Sequence, residues 1–537
     1  MITTGSDPYT MTVFSASTGA SSVRLDRKDG TFLHLHSLVD PEAEADCFSD
    51  LDIWGDKLVL AGTGLGYHLS RVLRNVGNLS GILIIEYYPD LAESCADFVK
   101  EVTSIAPLIL TGDTADIQII EKRFASMVGT VQVIRHPPSY EAHRTFYDAR
   151  LKRLLIRRTT GCGCKTMAQM QGRFFVEREM IHAAEAAEIN AIPFHYRDVS
   201  SVVAYESHVQ QLIERNAPDF ILSINMLGVD YNGILAEYAS RHGIPTVHWF
   251  VDDPRPILLT RKDITSDMIA CTWDASYLPF LQEAGFGEVH YLPLAVDAFR
   301  PVFDANVLPG IPVCFVGSSM SGEFLQNIAD KFIWRVEYGT VASQLARDFL
   351  AGRSDTLDDD IRNALAGYGT TDAVTVTWLR SYVLHLASMM RRRELLAGLI
   401  PFGLELFGDE TGWKNLLGGE VSVHPDLDYH TETARIYNNT AVNVNITSCQ
   451  MPYAVNQRVF DVPCSGGFLL TDHQKDMDVL FEQGEYVVYA DKEDLREKTV
   501  YYLDHPQERA AITMSARRTV LDRHTYQHRL AEIVSFL

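Results

Sequence analysis

Short apolar runs recur along this chain, and each is followed by a turn and then by a helical pattern. Examples are Lys57–Ala61, Gly81–Ile85 and Met268–Thr272. Strands that are buried on both faces read as continuous apolar runs, and strands that alternate with helices over short loops form parallel sheets. The pattern therefore predicts an α/β protein with doubly wound parallel sheets.

The chain is 537 residues long, which is too long for one hydrophobic core, so we expect about three domains. Changes in the strand and helix pattern predict an N-terminal Rossmann-like domain at 1–160, a second domain at 166–300 and a third at 301–520. A mainly helical insertion is predicted at about 323–398 within the third domain. The last helical pattern runs from about 506 to 537.

Residues 443–472 concentrate polar side chains at one predicted sheet edge. An alternating strand near Val442 is followed by a helix from Arg458, a glycine stop and a buried strand. Ligands of open α/β sheets bind beyond the carboxyl ends of the strands. An arginine with exposed amides suits a diphosphate, and a carboxylate suits sugar hydroxyl groups. The candidate ligand residues are Asn445, Asn456, Arg458, Asp461, Gly466, Gly467 and Asp472.

The alternative for residues 443–472 is a structural βαβ unit whose glycines serve close packing. A second turn favours the ligand site, because Gly317, Ser318 and Ser319 follow a predicted strand and their amides can hold a phosphate. Tyr437 lies in a predicted helix, where it either stacks on a base or packs in the core.

Other polar residues fall near the carboxyl ends of strands in the second domain. Asn225 follows one apolar run, and Asp252 and Asp253 follow another. An acid at this place can be a catalytic base, can hold an acceptor or can cap a helix, and capping is the commonest role. His248 lies within a strand, where a packed core histidine is the expected role.

The formal charge of −23 excludes a general nucleic-acid binder, whose affinity depends on phosphate neutralisation. The basic runs at 153–158 and 391–393 are solvated helix faces or local anion sites. The cysteines, including Cys162 and Cys164, lack zinc-site spacing, so no metal is expected. No signal peptide or membrane-spanning run is recognisable, which predicts a cytoplasmic protein.

Several blocks resemble the CgeB-like (spore maturation protein-like) glycosyltransferases of the GT-B type. These blocks are residues 443–472, Leu480-Phe481-Glu482, Tyr501 to Pro506 and Arg523 to Tyr526. The resemblance implies twin Rossmann-like domains, a terminal helix at 521–537 that crosses back to the first of them, and sugar transfer from a UDP-, GDP- or dTDP-sugar without metal. It implies a glycan or protein acceptor, flagellin being one example.

The same resemblance assigns roles to individual residues. Arg458 and amide dipoles would stabilise charge on the leaving diphosphate, and Asp252 and Asp253 would lie on the acceptor side. The better-known relatives carry two glutamates eight positions apart. Asp461 stands near the place of the second, and no acid stands near the place of the first, at Tyr453 or Ala454.

The N-terminal domain carries Gly62, Gly64 and Gly66 after its first strand and Glu86 after its second. This order resembles the nucleotide-binding half of class I S-adenosylmethionine methyltransferases and the N-terminal region of Maf-type flagellin-glycosylation proteins. It leaves open a retained fold without cofactor, a working methyltransferase and a bifunctional chain. A non-catalytic binding protein on a GT-B frame is the remaining alternative.

Overall fold

The computed structural model describes residues 9–112, 117–154, 165–298, 308–321, 325–326, 336–353 and 356–537. Cys162, Cys164, Arg157, Arg158 and most of the first part of the predicted helical insertion lie outside these ranges.

Two compact units make up the chain. The first consists of Met1–Gly172, Ile192–Ile221 and Gly228–Pro245. The second consists of Arg173–Ala191, Leu222–Leu227 and Thr246–Leu537.

The strands are numbered in chain order. They are β1 Tyr9–Ser15, β2 Ser21–Arg27, β3 Phe32–His34, β4 Lys57–Ala61, β5 Gly81–Ile85, β6 Leu108–Leu110, β7 Val131–Arg135, β8 Thr166–Gln171, β9 Asn190–His195, β10 Phe220–Ile224, β11 Thr246–Phe250, β12 Met268–Thr272, β13 Glu288–Tyr291, β14 Ile311–Val316, β15 Leu404–Phe407, β16 Ser422–His424, β17 Thr440–Val444, β18 Leu469–Asp472 and β19 Val487–Tyr489.

The α-helices of the described residues are named by their bounds. They are Pro41–Glu44, Leu69–Val72, Pro89–Thr103, Ile117–Ala125, Pro137–Ala142, Arg144–Leu154, Glu177–Ala186, Val202–Gln211, Ile234–His242, Pro254–Leu258, Leu278–Glu283, Val336–Leu350, Leu357–Ala366, Ala373–Ala397, Glu410–Leu417, Thr433–Asn438, Arg458–Cys464, Met477–Leu480, Lys492–Asp504, Pro506–Arg523 and Tyr526–Ser535.

The N-terminal residues form two sheets. The antiparallel sheet has the order β1-β2-β3, and the parallel sheet has the order β6-β5-β4-β7. All five residues of β4 and of β5 are buried, as the apolar runs predict for central parallel strands.

Side chains form hydrogen bonds with the backbone of the edge strand β7, on the side where a neighbouring strand would otherwise pair. The Gln210 amide nitrogen donates to the Val133 carbonyl and its oxygen accepts from the Val133 N–H, both at 2.7 Å. The buried Gln132 oxygen accepts from the amides of Trp54 and Gly55. These bonds satisfy backbone groups that an edge strand otherwise leaves unpaired.

A six-stranded sheet follows, in the order β13-β12-β11-β10-β8-β9. Its strands β11, β12 and β13 pair in parallel. The sequence pattern does not predict β8, because Met, Ala and Gln make up most of it and these residues are not typical of strands. Its residues Met167, Ala168 and Met170 are nevertheless fully buried.

The other six-stranded sheet has the order β16-β15-β14-β17-β18-β19, and all its pairs are parallel. This is the Rossmann order, in which the first strand of the sheet lies beside the fourth and the ligand binds where the order reverses. Here the reversal lies between β14 and β17. The predicted α/β fold with twin Rossmann-like sheets, an additional N-terminal sheet and helices between β14 and β15 is confirmed.

The last helical pattern forms two helices and not the single one that the sequence predicts. Pro506–Arg523 ends before His524, and Tyr526–Ser535 starts after Thr525. Thr525 forms a β-bridge with Val296, and its hydroxyl and the His528 side chain form a capping box. A bridge to a distant segment uses the backbone groups that a continuous helix would need.

Replacing Gln210 tests whether its side-chain hydrogen bonds to Val133 stabilise the edge strand β7. Gln210→Ala leaves the Val133 N–H and carbonyl without partners, which costs about 2–4 kcal/mol for two buried groups. We expect faster hydrogen exchange at Val133 and a lower unfolding midpoint of the full chain. Gln211→Ala, on the same helix but partly exposed, is the control, and equal effects of the two variants would contradict the assigned role.

Candidate functional site

The turn after β14 brings the backbone against an arginine. Gly317 has φ +154°, and a Cβ at this position would lie 2.8 Å from Arg458 Nη1. Its N–H donates to the Phe407 carbonyl, and its carbonyl accepts from the Trp413 indole. Glycine is therefore required here, because any side chain would displace the guanidinium.

Arg458 begins its helix and lies across the carboxyl ends of β14 and β17. Its Nε donates to Asn445 Oδ1 at 2.7 Å, and its Nη1 donates to the Val316 carbonyl at 2.8 Å. Asn456 donates to the same Asn445 oxygen at 2.8 Å. The predicted pair Asn445 and Asn456 therefore orients Arg458, and Asn445 itself is fully buried.

Arg392 is a second arginine at this turn. It lies on helix Ala373–Ala397, and its Nη1 donates to the Ser318 carbonyl at 2.5 Å. The guanidinium carbons of Arg392 and Arg458 lie 5.3 and 5.0 Å from the centre of the Phe315 ring. Burial, reinforced by the charge of Arg458, lowers the pKa of Arg392 to about 9, so both arginines are charged at neutral pH.

Neither guanidinium has a carboxylate within 4 Å in the part of the chain that the structure describes, although Arg392 is only 5% exposed. Burial lowers the pKa of Arg458 as well. Acids that lie farther away, among them Asp472, offset the charge of these two desolvated groups only in part, and an anion bound between them would stabilise both. The arrangement is that of an anion site.

The sequence gives a weak signal for Arg392. The run at 391–393 is one of the few basic clusters in an acidic chain, and a solvated helix face is its commonest role. That role fits the exposed Arg393, whereas Arg392 is buried. Because adjacent helical residues differ by about 100° in direction, the run by itself does not show which arginine faces the turn.

The turn offers fewer amides than the sequence predicts. Ser318 is exposed, but the Ser319 N–H and hydroxyl both donate to the Asp409 carboxylate at 2.5 Å. Ser319 is fully buried. Its amide is therefore occupied by the protein.

Asp472 ends β18 and is 2% exposed. One of its carboxylate oxygens accepts from the Thr447 N–H and hydroxyl, both at 3.0 Å. The other accepts from Gln474 and forms an ion pair with Arg391 at 3.2 Å. Asp472 thus orients the loop after β17 and a third arginine near the anion site.

Asp461 lies one helical turn after Arg458 and is 1% exposed. Its carboxylate accepts from the Tyr429 hydroxyl at 3.2 Å and from the Gln457 amide at 3.0 Å. The nearby Tyr437 is also buried, at 3% exposure, which fits the core role among its two predicted roles.

Gly466 and Gly467 terminate the helix that Arg458 begins. The Gly466 N–H donates to the Pro463 carbonyl and the Gly467 N–H donates to the Val462 carbonyl. A Cβ on Gly467 would lie 2.5 Å from the Tyr437 carbonyl oxygen. Both amides are occupied in the helix end, away from Arg458, so these glycines serve helix termination and close packing.

Asn225 and Asp252 interact at the carboxyl ends of β10 and β11. The Asn225 amide donates to Asp252 Oδ2 at 2.8 Å, and its oxygen accepts from the Val251 N–H. Asn225 and Met226 both have positive φ, at 52° and 54°, a strained conformation that is common at functional sites. Burial raises the pKa of Asp252 to about 6.

Asp253 has structural contacts instead. Its carboxylate accepts from the Arg255 N–H at 3.0 Å and so caps helix Pro254–Leu258. It also forms an ion pair with Arg380 at 2.6 Å. Arg380 lies on the helix that carries Arg392. His248 bonds to Ser223 at 2.8 Å and is a buried core residue, as predicted.

The loop that leads to Arg458 is held by residues after β12. The Asp274 carboxylate accepts from the amides of Tyr453 and Ala454, at 3.0 and 2.9 Å. The Tyr277 hydroxyl donates to the Gln450 carbonyl at 2.7 Å. Tyr453 and Ala454, which stand where the better-known relatives carry the first glutamate, therefore have a structural role, because their backbone amides bind the Asp274 carboxylate.

The glycine turn of the N-terminal sheet is filled by the protein itself. The Glu86 carboxylate accepts from the Thr63 N–H at 2.6 Å and from the Gly64 N–H at 3.3 Å. A Cβ on Gly64 would lie 2.5 Å from His36 Nε2 and 3.2 Å from the His136 ring. The acid expected to bind ribose is thus bonded to its own turn.

The rings of His36, His68 and His136 are buried against this turn and against one another. Their centroids lie 4.8 Å apart between His36 and His136 and 4.9 Å apart between His68 and His136. Burial lowers the pKa of all three, to about 4 for His36 and about 3 for His68, so the rings are neutral. The amides of Thr63 and Gly64 are therefore not available to S-adenosylmethionine, because they donate to Glu86.

A family model matches the C-terminal part of the chain. Residues 387–535 match the family model described as glycosyl transferase-like, Glyco_trans_1_2. The chain therefore contains a glycosyltransferase-like domain, which includes Arg391, Arg392 and Arg458. None of the curated proteins matches the chain in sequence.

The chain is also similar, at low identity, to several solved structures. Sucrose-phosphate synthase from Thermosynechococcus elongatus is 11% identical with a TM-score of 0.40, over 69% of this chain and 98% of that chain. Anabaena Alr3699/HepE in complex with UDP-glucose is 10% identical with a TM-score of 0.39, over 69% and 100%. T4 phage BGT with UDP-glucose is 9% identical with a TM-score of 0.39, over 69% and 99%.

Metal and membrane features are absent from the described residues. No group of three or more His, Cys, Asp or Glu side chains there is arranged to hold a metal ion. No described helix is long and apolar enough to cross a bilayer.

The bonds of Glu86 to the glycine turn allow a test of the methyltransferase alternative. S-adenosylhomocysteine should leave the melting temperature of the full chain unchanged, because no amide of Thr63 or Gly64 is available to it. Differential scanning fluorimetry checks this result, with a nucleotide diphosphate as the positive comparison. A saturable shift that is lost in Glu86→Gln would contradict the interpretation.

Proposed function

We propose that the chain is a glycosyltransferase that takes a sugar from a nucleotide-diphosphate donor. The observation that carries the proposal is the pair Arg392, which is buried, and Arg458, which is partly buried. In the described residues neither guanidinium has a carboxylate within 4 Å, and both lie at the turn after β14. A diphosphate is an anion of the right charge for two such groups. The glycosyltransferase-like match to residues 387–535 supports this choice among anions.

The chemistry of the arrangement follows from its charge. In sugar transfer the bond between the sugar carbon and the diphosphate oxygen breaks, and the negative charge on that oxygen grows. Arg392 and Arg458 are fixed by carbonyls and by Asn445, so they offer oriented positive charge that needs no reorganisation. In this proposal the two guanidinium groups replace a metal ion in stabilising the leaving group.

The proposed donor site is narrower than the sequence predicts. It consists of the turn at Gly317 and Ser318 with Arg392 and Arg458, oriented by Asn445, Asn456 and Asp472. Ser319, Gly466 and Gly467 are not part of it, because their amides are bonded elsewhere. Asp461 and the buried Tyr437 form its supporting layer.

We assign the acceptor side to Asp252, with Asn225 as its positioning residue. The Asp252 carboxyl has a pKa of about 6, so it is ionised at neutral pH and can accept the proton of an acceptor hydroxyl. Asp253 is left out of the catalytic group, because it caps a helix and pairs with Arg380.

The remaining parts of the proposal rest on the family resemblance. They are a CgeB-like GT-B enzyme, a UDP-, GDP- or dTDP-hexose as donor, metal independence, a glycan or protein acceptor such as flagellin, and a cytoplasmic location. A non-catalytic binding protein on the same frame differs in one measurable way, since it binds a nucleotide without turning over a nucleotide sugar.

Arginine substitutions test the donor site. Arg392→Gln and Arg458→Gln should each weaken binding of the preferred nucleotide among UDP, GDP and dTDP by about tenfold to a hundredfold, because each removes charge-assisted hydrogen bonds. Isothermal titration calorimetry measures the loss, and product mass measures transfer or donor hydrolysis. Arg393→Gln is the matched control on the exposed side of the same helix. Unchanged affinity in both buried variants would refute the site.

Asp252 predicts a pH dependence of transfer. Its raised pKa means that the carboxyl becomes protonated as pH falls through about 6, and a protonated acid cannot accept a proton. The rate of transfer should therefore fall below about pH 6, and Asp252→Asn should lower kcat by about a hundredfold and abolish this limb. Nucleotide affinity should not change. A pH profile of Asp252→Asn with the same limb would exclude the assigned role.

A further inference from the structure

Glu179 is a buried carboxylate that the protein does not satisfy. It lies on helix Glu177–Ala186 of the second unit and is 1% exposed. In the described part of the chain neither of its oxygens has a hydrogen-bond partner of good geometry. His430 Nδ1 lies 3.6 Å from Oε1, and the His430 side chain is about one-third exposed.

The surroundings of Glu179 add negative charge. Burial, together with repulsion from Asp297 and Asp461, raises the pKa of Glu179, and the nearby N–H groups of Glu179 and Val176 oppose this rise in part. Asp297 pairs with His182 at 2.9 Å. A buried carboxylate without hydrogen bonds, next to other acids, costs free energy, so a ligand that brings hydrogen-bond donors gains by binding there.

The backbone before this helix is strained as well. Arg173 and Val176 have φ values of 65° and 76°, and Val176 is β-branched, so this conformation is a real outlier. Such strain persists where tertiary contacts enforce it, and it is common at functional sites. Here the enforced loop leads directly into the turn of helix that presents Glu179.

The position relative to the donor site limits the ligand. His430 lies 3.6 Å from Glu179, and the neighbouring Tyr429 donates to Asp461 at 3.2 Å. Asp461 lies three residues after Arg458 in one helix, about 5–6 Å away between Cβ atoms. The group next to a diphosphate bound at Arg458 is a sugar ring. Asp461 itself already accepts from Tyr429 and Gln457, whereas Glu179 has both oxygens available.

We propose that Glu179 accepts hydrogen bonds from hydroxyl groups of a sugar ring next to the donor's diphosphate. The ring is the nucleoside ribose or the sugar to be transferred, since both carry adjacent hydroxyl groups. This inference rests on the proposed function. It assigns hydroxyl recognition to the helix after β8 and gives Asp461 a supporting role.

Glu179→Gln tests the proposal, because it keeps the size of the side chain and removes its charge. We expect the dissociation constant of the preferred nucleotide diphosphate, or only that of its glucose conjugate, to rise about tenfold or more. Pyrophosphate affinity should stay within about twofold. If Glu179→Gln lowers the affinity for the nucleotide diphosphate itself, the ring that Glu179 binds is the ribose. If it lowers only the affinity for the glucose conjugate, the ring is the transferred sugar.

Two further measurements separate this role from a structural one. Without ligand, Glu179→Gln should melt at the same or a higher temperature, because it removes an unpaired buried charge. Glu185→Gln, exposed on the same helix, should change nothing. A lower melting temperature with equal losses for pyrophosphate and nucleotide would overturn the proposal, and so would unchanged affinity for every ligand. A wild-type chain that binds no nucleotide would refute the proposed function itself.

Discussion

Uncompensated positive charge at the turn after β14 is the constraint on which the site depends. Arg392 and Arg458 are both desolvated, both lie near the Phe315 ring, and both donate hydrogen bonds to backbone carbonyls. Carbonyls orient a guanidinium but cannot neutralise it. Neighbouring acids offset this charge only in part, so a bound anion would stabilise the site, and the absence of a side chain at Gly317 lets Arg458 lie against the turn.

The supporting contacts explain how this charge is kept in place. Asn445 fixes Arg458, Asp472 fixes Arg391, and Asp409 ties down the Ser319 amide. Asp274 and the Asp253–Arg380 pair tie the same loop and helix to the segments after β11 and β12. Most of the acids near the site thus position other groups. Glu179 differs from them, because neither of its side-chain oxygens has a hydrogen-bond partner in the described residues.

The N-terminal glycine turn shows that a motif and its ligand are separable. The turn has the strand, the glycines and the acid that a nucleotide site needs. Yet Glu86 bonds to the turn's own amides, and the His36 and His136 rings pack against Gly64. Glycine in such a turn permits close approach of any group, and here the group is a side chain of the same domain.

The sequence alone determined the parallel α/β architecture, because buried strands must be apolar runs and β4, β5, β12 and β14 are such runs. It also located Arg458 at a helix start beside the switch point of a sheet. It could not locate β8, whose burial comes from neighbours on both sides, nor distinguish Arg392 from Arg393 in one basic run. Which amides are free, which carboxylates are satisfied and which charges lack partners depended on residues far apart in the chain. Those facts are set by tertiary packing, since the pairing of a polar group is a property of what folds against it and not of its neighbours in sequence.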